Sequence, residues 1–184
     1  MALLHTPEKL EGFTAPDFSL TNIDGQTYSL KDCMGEHGLM VMFICNHCPY
    51  VIAIIDRLAE TCNRLQNEGI GCVAIMANDT ENYPADSFEN MKIFSKKHQF
   101  NFPYVIDKTQ NIAKSYDAVC TPDFFGFDKD GLLQYRGRLD SAANKPADEQ
   151  TVPELLNAML EFKNKGQISA TQTPSMGCSI KWKT

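Results

Sequence analysis

An apolar run, Leu39-Met40-Val41-Met42-Phe43-Ile44, leads straight into Cys45-Asn46-His47-Cys48-Pro49 and from there into an amphipathic helical pattern. The order is that of a strand delivering two thiols to a helix start. Unpaired backbone N–H groups and the positive end of the helix dipole favour a thiolate there, which suits the segment to thiol chemistry rather than to packing. Two cysteines three positions apart on a first helical turn can close a small disulfide with little backbone movement, so pairing is local and reversible. Structural zinc is the competing reading. It normally needs four ligands, and no second Cys-x-x-Cys or His-x-x-x-His follows, so no metal site is expected.

His47 immediately precedes the second cysteine. Its N–H donors can stabilise a thiolate on Cys45 and lower that thiol further, which makes the pair more oxidising. The alternative is a solvated histidine on a helix start.

The 184 residues and 43% hydrophobic content fit one globular domain able to bury a core without staples. A net charge of −6, with no block of lysine or arginine, gives no electrostatic footprint for nucleic acid or an anionic membrane. The stretch from Met1 to Lys9 carries no basic leader with a long apolar core, and no segment approaches a bilayer span, which leads to a cytoplasmic expectation. Seven cysteines form an odd set unlike a secreted disulfide framework, in keeping with a reducing compartment and a few working thiols.

Along the chain, residues 18–30 alternate about Asp24-Gly25 and read as a β-hairpin ahead of the main sheet. Val51, Ile55, Leu58, Cys62 and Leu65 recur at helical spacing, predicting a single helix ending near Gly69. Residues 70–77 read as a strand, 84–98 as a helix, 103–107 as a strand and 109–117 as a short helix. Residues 123–128 and 132–136 flank Lys129-Asp130-Gly131 as an antiparallel hairpin, and a helix over 151–165 closes the domain. This order predicts an α/β fold: a mixed sheet, parallel at first and antiparallel at its edge, with helices on both faces. The domain spans 1–166, and 167–184 is a polar tail that either folds back or stays disordered.

The segment Ala15-Pro16-Asp17-Phe18-Ser19-Leu20, with Asp24-Gly25 and Leu30-Lys31-Asp32, resembles the N-terminal signature of the alkyl hydroperoxide reductase and thiol-specific antioxidant (AhpC/TSA) branch of the thioredoxin superfamily. Residues 45–49, Thr121-Pro122 and the strand from Phe124 to Asp128 follow in the superfamily's order of redox loop, proline loop and next strand. The resemblance covers residues 15 to about 165 and implies a thioredoxin-like fold with an N-terminal hairpin extension. It further implies that Pro122 is a cis-proline facing the cysteine pair, with Thr121 and Pro122 presenting backbone groups to a bound disulfide. Cys45 would be the exposed nucleophile and Cys48 the resolving thiol.

Two departures separate this chain from peroxiredoxins. If Cys48-Pro49 is placed on the end of Pro-x-x-x-Thr-x-x-Cys-Pro, the threonine position holds Cys45 and the proline position holds Val41. The arginine that the branch places before its later core strand is replaced by Pro122, so Arg136 or Arg138 would have to substitute through folding. Unlike thioredoxin, the strand over 39–44 carries no buried carboxylate, so proton transfer at Cys48 needs water or another group.

Cys62 and Cys72 read as inert core thiols, and Cys33 as an incidental exposed or half-buried thiol in a loop. Cys120 is brought near the pair by the proline loop, and Cys178 lies in the tail; both are candidate additional redox thiols. The leading reading is a thiol-disulfide oxidoreductase with antioxidant function and no cofactor. Its partners would be disulfide-containing proteins, small thiol or peroxide substrates and a thiol reductant. The alternatives are a thiol peroxidase and a Cu(I)-handling protein using Cys45, Cys48 and either His47 or Cys120 as soft ligands.

Overall fold

In the computed structural model, which describes residues 2–8 and 11–184, the apolar run at residues 39–44 lies at the centre of the molecule. Met1 and Lys9, part of the stretch read as leaderless, fall outside the described residues, as does Leu10. The elements in chain order are β1 (Leu3–His5), β2 (Ser19–Asn22), β3 (Thr27–Ser29), α1 (Leu30–Cys33), β4 (Gly38–Phe43), α2 (Pro49–Ile52), α3 (Ile55–Asn67) and β5 (Ile70–Met76). After a 3-10 turn at Pro84–Asp86 come α4 (Phe88–Lys97), β6 (Tyr104–Ile106), α5 (Asn111–Ser115), β7 (Cys120–Thr121), β8 (Asp123–Phe127), β9 (Leu133–Tyr135), α6 (Glu154–Lys165) and β10 (Met176–Ser179). Among the described residues no helix is long and apolar enough to cross a membrane.

The main sheet has the order β3-β2-β6-β5-β4-β8-β9. Strands β4, β5 and β6 run parallel, and the pairs on either side of them are antiparallel. Every residue of β4 is buried, because it contributes to two cores at once. Met40 and Met42 face α3, α4 and α6, packing with Leu58, Met91, Phe124 and Leu155. Leu39, Val41 and Phe43 face the other side, with Val73, Phe125, Phe127 and Tyr116. A strand covered on both faces has no polar side to present to water, which accounts for its unbroken apolar sequence.

Three elements differ from the sequence reading. The N-terminal hairpin is an edge of the main sheet rather than a preface to it, since β2 pairs with β6 at Thr21↔Ile106 and Asn22↔Val105. The single helix expected after Cys48 is two helices. Ile54 N–H bonds to Val51 C=O at 3.1 Å, a tight i to i−3 turn that lets Val51, Ile54 and Ile55 all reach the core. Cys33 is the last residue of α1, whose capping box is Ser29 with Asp32, and it is buried rather than loop-exposed, which pushes its thiol up to about 12.

The segment after α6 folds back. β10 inserts between β1 and β7 in a second, three-stranded antiparallel sheet, in register Leu3↔Cys178 and Cys178↔Thr121. Backbone and side-chain bonds fix it at both ends. Thr6 N–H bonds to the Ser175 carbonyl at 2.9 Å, the Ser175 hydroxyl donates to the Pro122 carbonyl at 3.0 Å, and Lys181 N–H donates to Asn78 Oδ1 at 2.9 Å.

Beside β7, Asp123 and Arg136 form a fully buried ion pair at 3.1 Å, with the guanidinium stacked over Phe125 at 4.4 Å. Burial pushes the Asp123 carboxyl up to about 6 even with Arg136 opposing it. Because this lies above the unfolded value of about 3.9, the folded state binds the extra proton between those limits, and stability from this group falls as pH rises from about 4 to 6. Arg136→Met leaves a buried carboxyl without its partner and is expected to cost about 3–5 kcal/mol at pH 7, with a smaller loss near pH 4. Urea unfolding at the two pH values checks both the size and the sign.

Candidate functional site

The loop over residues 44–48 joins β4 to α2 and is held from below by side chains distant in sequence. Asn46 N–H donates to Asp86 Oδ1 at 2.8 Å, Asn46 Nδ2 to the Ala85 carbonyl at 3.1 Å, and the Tyr104 hydroxyl to Asn46 Oδ1 at 2.9 Å. Cys48 is the N-cap of α2 with Pro49 at the first helical position, so Cys48 alone sits at the helix start and Cys45 precedes it in the loop.

The Thr121–Pro122 peptide bond is cis, and Thr121 meets both sulfurs. Its hydroxyl lies 3.5 Å from Cys45 Sγ, and its carbonyl accepts from Cys48 Sγ at 3.1 Å. The two thiols lie close enough for each to act on the other's protonation. Cys48, burial and the nearby Asp86 carboxylate hold Cys45 well above the ordinary thiol range. Cys45, aided by Thr121 and Cys178 and opposed by burial, holds Cys48 below it. Cys48 is thus the more acidic thiol of the two, not Cys45 as expected from His47.

Cys45 was expected to be exposed and is 1% exposed; Cys48 is 0%. The reason is the C-terminal fold-back: β10 pairs with β7 and packs on α2, covering the side from which the loop would otherwise face solvent.

His47 is half-buried and does not serve Cys45 alone. Its Nδ1 lies 2.7 Å from Asp86 Oδ2, off the N–H line and so an electrostatic contact more than a directed hydrogen bond, while the ring stacks on Tyr83 at 5.9 Å. Asp86 is 0% exposed and also accepts from Asn78 Nδ2 at 2.8 Å. Asn78 is the residue that anchors Lys181, so the buried carboxylate, the histidine and the C-terminal segment form one network. Ligand atoms of Cys45, His47 and Asp86 lie within 4.8 Å of one another. One cysteine, one imidazole and one carboxylate suit a borderline ion such as Zn2+, and this set differs from the Cys45, Cys48 and His47 or Cys120 of the Cu(I) reading.

The remaining thiols divide clearly. Cys62 and Cys72 are buried together under α3, with Cys62 Sγ on Met42 Sδ at 3.7 Å and Cys72 Sγ on the Cys62 carbonyl at 3.8 Å. Cys120 lies beside the pair but directs its thiol to the Pro122 carbonyl at 3.6 Å, and burial raises it strongly. Cys178 faces Thr121 across the β10–β7 ladder, close enough to Cys48 for the two thiols to influence each other's protonation. Arg136 and Arg138 are committed elsewhere, the first to Asp123 and the second to Glu154 at 2.7 Å.

Asp86 is the site residue that sequence reasoning missed. The strand over 39–44 carries no acid; the acid arrives instead from the 3-10 turn at Pro84–Asp86, in a stretch whose sequence carries no signal of it. Asp86→Ala is expected to cost about 1–3 kcal/mol for each buried donor it orphans. Urea unfolding of the reduced protein at neutral pH measures the loss; no change would mean that the Asn46 amide and Asn78 find other acceptors.

The AhpC/TSA family profile matches residues 12–136. The thiol-disulfide oxidoreductase ResA of Bacillus thuringiensis subspecies konkukian is 30% identical over 127 residues, covering 68% of this chain and 69% of that protein. A crystal structure of a conserved protein from Geobacillus kaustophilus superposes with a TM-score of 0.91 at 42% identity, over 100% of this chain and 97% of the other. The thioredoxin domain of a thiol-disulfide oxidoreductase from Bacteroides vulgatus shares the fold, with a TM-score of 0.65 at 19% identity over 85% of this chain and 100% of that domain.

Proposed function

Because the chain belongs to the AhpC/TSA family of the thioredoxin superfamily, and is a thiol-disulfide oxidoreductase, we propose that Cys45 and Cys48 are its redox pair. The observation that carries this reading is the meeting of both sulfurs at Thr121, next to the cis peptide bond of Pro122.

The exchange follows from the two sulfurs meeting at Thr121. Cys45, giving up its proton, attacks one sulfur of a substrate disulfide, forming a mixed disulfide and expelling the other substrate sulfur, which takes up that proton. Cys48, giving up its own proton, then attacks the Cys45 sulfur, closing the Cys45–Cys48 disulfide and releasing the second substrate sulfur, which leaves with that proton as a thiol. A dithiol or two thiols of a reducing partner restore the pair. His47, held by Asp86, lies beside Cys45 and tunes the charge there, while Thr121 and Pro122 border the substrate.

Disulfide-containing proteins are the substrates this chemistry fits, and ResA and its relatives carry the same chemistry in their names. The one-domain reading over 1–166 is kept for the redox unit, with 167–184 as the segment that covers it. The cytoplasmic setting and an antioxidant role belong to the same proposal, supported by the odd cysteine set and by Cys33, Cys62 and Cys72 being packed as free thiols. Peroxidase chemistry is not favoured: Val41 and Cys45 stand where its pocket needs proline and threonine, and neither Arg136 nor Arg138 is free to activate a peroxide.

Reduction of insulin by dithiothreitol tests the assignment. Cys45→Ser and Cys48→Ser are each expected to reduce the rate to that of dithiothreitol alone, and full activity in either variant would overturn it. Cys62→Ser, distant from the pair, is expected to retain the rate.

A further inference from the structure

We propose that Cys178 is a third thiol of the redox centre, exchanging with the Cys45–Cys48 disulfide to form a Cys48–Cys178 bridge that carries the oxidised state onto the C-terminal strand. This rests on the reading of Cys45 and Cys48 as the redox pair.

Four observations converge on it. Cys48 is the sulfur on which both neighbours act, Cys45 and Cys178 each influencing its protonation, with its own thiol on the carbonyl of Thr121, the residue that Cys178 faces across the ladder. Thiol-disulfide exchange needs this arrangement, with the attacked sulfur between the incoming and the leaving one. Cys178 stands opposite Thr121 in the β10–β7 ladder, and Thr121 is the residue that touches both sulfurs of the pair. The close approach of the two strands depends on Gly177, because a Cβ there would collide with the Thr121 carbonyl oxygen. Finally, the strand is fixed in place: by β1 on its far edge, by the Ser175 hydroxyl on the Pro122 carbonyl and by Asn78 on Lys181 N–H. Cys120 lacks this geometry, its thiol being directed to the Pro122 carbonyl.

The step balances within the protein. The Cys178 sulfur, giving up its proton, attacks Cys48; the Cys48–Cys178 bond forms as the Cys45–Cys48 bond breaks; and Cys45 leaves as a thiolate that takes up the proton. One disulfide is exchanged for another, and no external oxidant or reductant takes part. The exchange frees Cys45 beside His47 and Asp86 while the protein remains oxidised, so a reducing partner has two sulfurs to attack, on two different elements.

The test is a disulfide map of the full-length protein. Wild type and Cys45→Ser are oxidised with diamide, quenched in acid, alkylated, digested and analysed by mass spectrometry. Wild type is expected to show Cys45–Cys48 together with Cys48–Cys178, and Cys45→Ser to lose two titratable thiols to Cys48–Cys178 alone. If wild type closes Cys45–Cys48 while Cys45→Ser closes no intramolecular bridge, Cys178 is not part of the centre and the redox pair stands. If wild type closes no Cys45–Cys48 bridge, the redox pair itself fails. Should Cys45→Ser not fold by circular dichroism, the wild-type map decides: absence of the Cys48–Cys178 peptide at every stage from partial to full oxidation overturns the proposal.

Discussion

The contact of Thr121 with two sulfurs is the interaction on which the site depends. The hydroxyl at Cys45, the carbonyl at Cys48 and the backbone ladder to Cys178 join three segments widely separated in sequence at one residue. None of these contacts is strong alone, since a neutral hydrogen bond contributes about 0.5–1.5 kcal/mol net. Their effect is geometric. They hold three thiols around a common point in a region sealed from water, where small differences in donor number decide which sulfur is the more acidic.

Much of this was legible from local patterns. The strand at 39–44, the strand at 70–76 and the hairpin about Asp130-Gly131 all announce themselves by apolar runs bounded by turn residues. Cys45 and Cys48 are legible from their spacing after an apolar strand, while Thr121 and Pro122 enter only through the resemblance to the thioredoxin superfamily's proline loop. β1 and β10 were not legible, for a physical reason. Each is three or four residues long, β1 is exposed along its length, and their pairing joins opposite ends of the chain, so neither carries a periodic signal of its own. The burial of Cys45 was missed with them, because it follows from a strand whose existence only the tertiary fold reveals.

Two buried carboxylates near the centre show how different partners give different electrostatics. Asp123 faces the Arg136 guanidinium and accepts from the Val119 N–H, and its carboxyl is still raised to about 6, because these partners do not replace the water lost by full burial. Asp86 is held by a backbone amide and a side-chain amide as well as by His47, which distributes its hydrogen bonding over fixed dipoles. The second arrangement keeps an acid beside Cys45 while tying its position to the redox loop and, through Asn78, to the C-terminal segment. The carboxylate that β4 lacks is therefore supplied from the other side of the loop.

Complete burial of the redox pair also constrains how it can work. A disulfide substrate must bring its sulfur into bonding contact with a pair now covered by the C-terminal strand. Only the outer strand of the small sheet is open to solvent, with Leu3 and Leu4 at 49% and 36% exposure, so β1 contributes little apolar burial while β10 and β7 are packed against the site. The same C-terminal strand shields the Cys48 sulfur from alkylating and oxidising molecules that would meet an exposed thiol freely. The element that hides the sulfurs is also the one that carries Cys178.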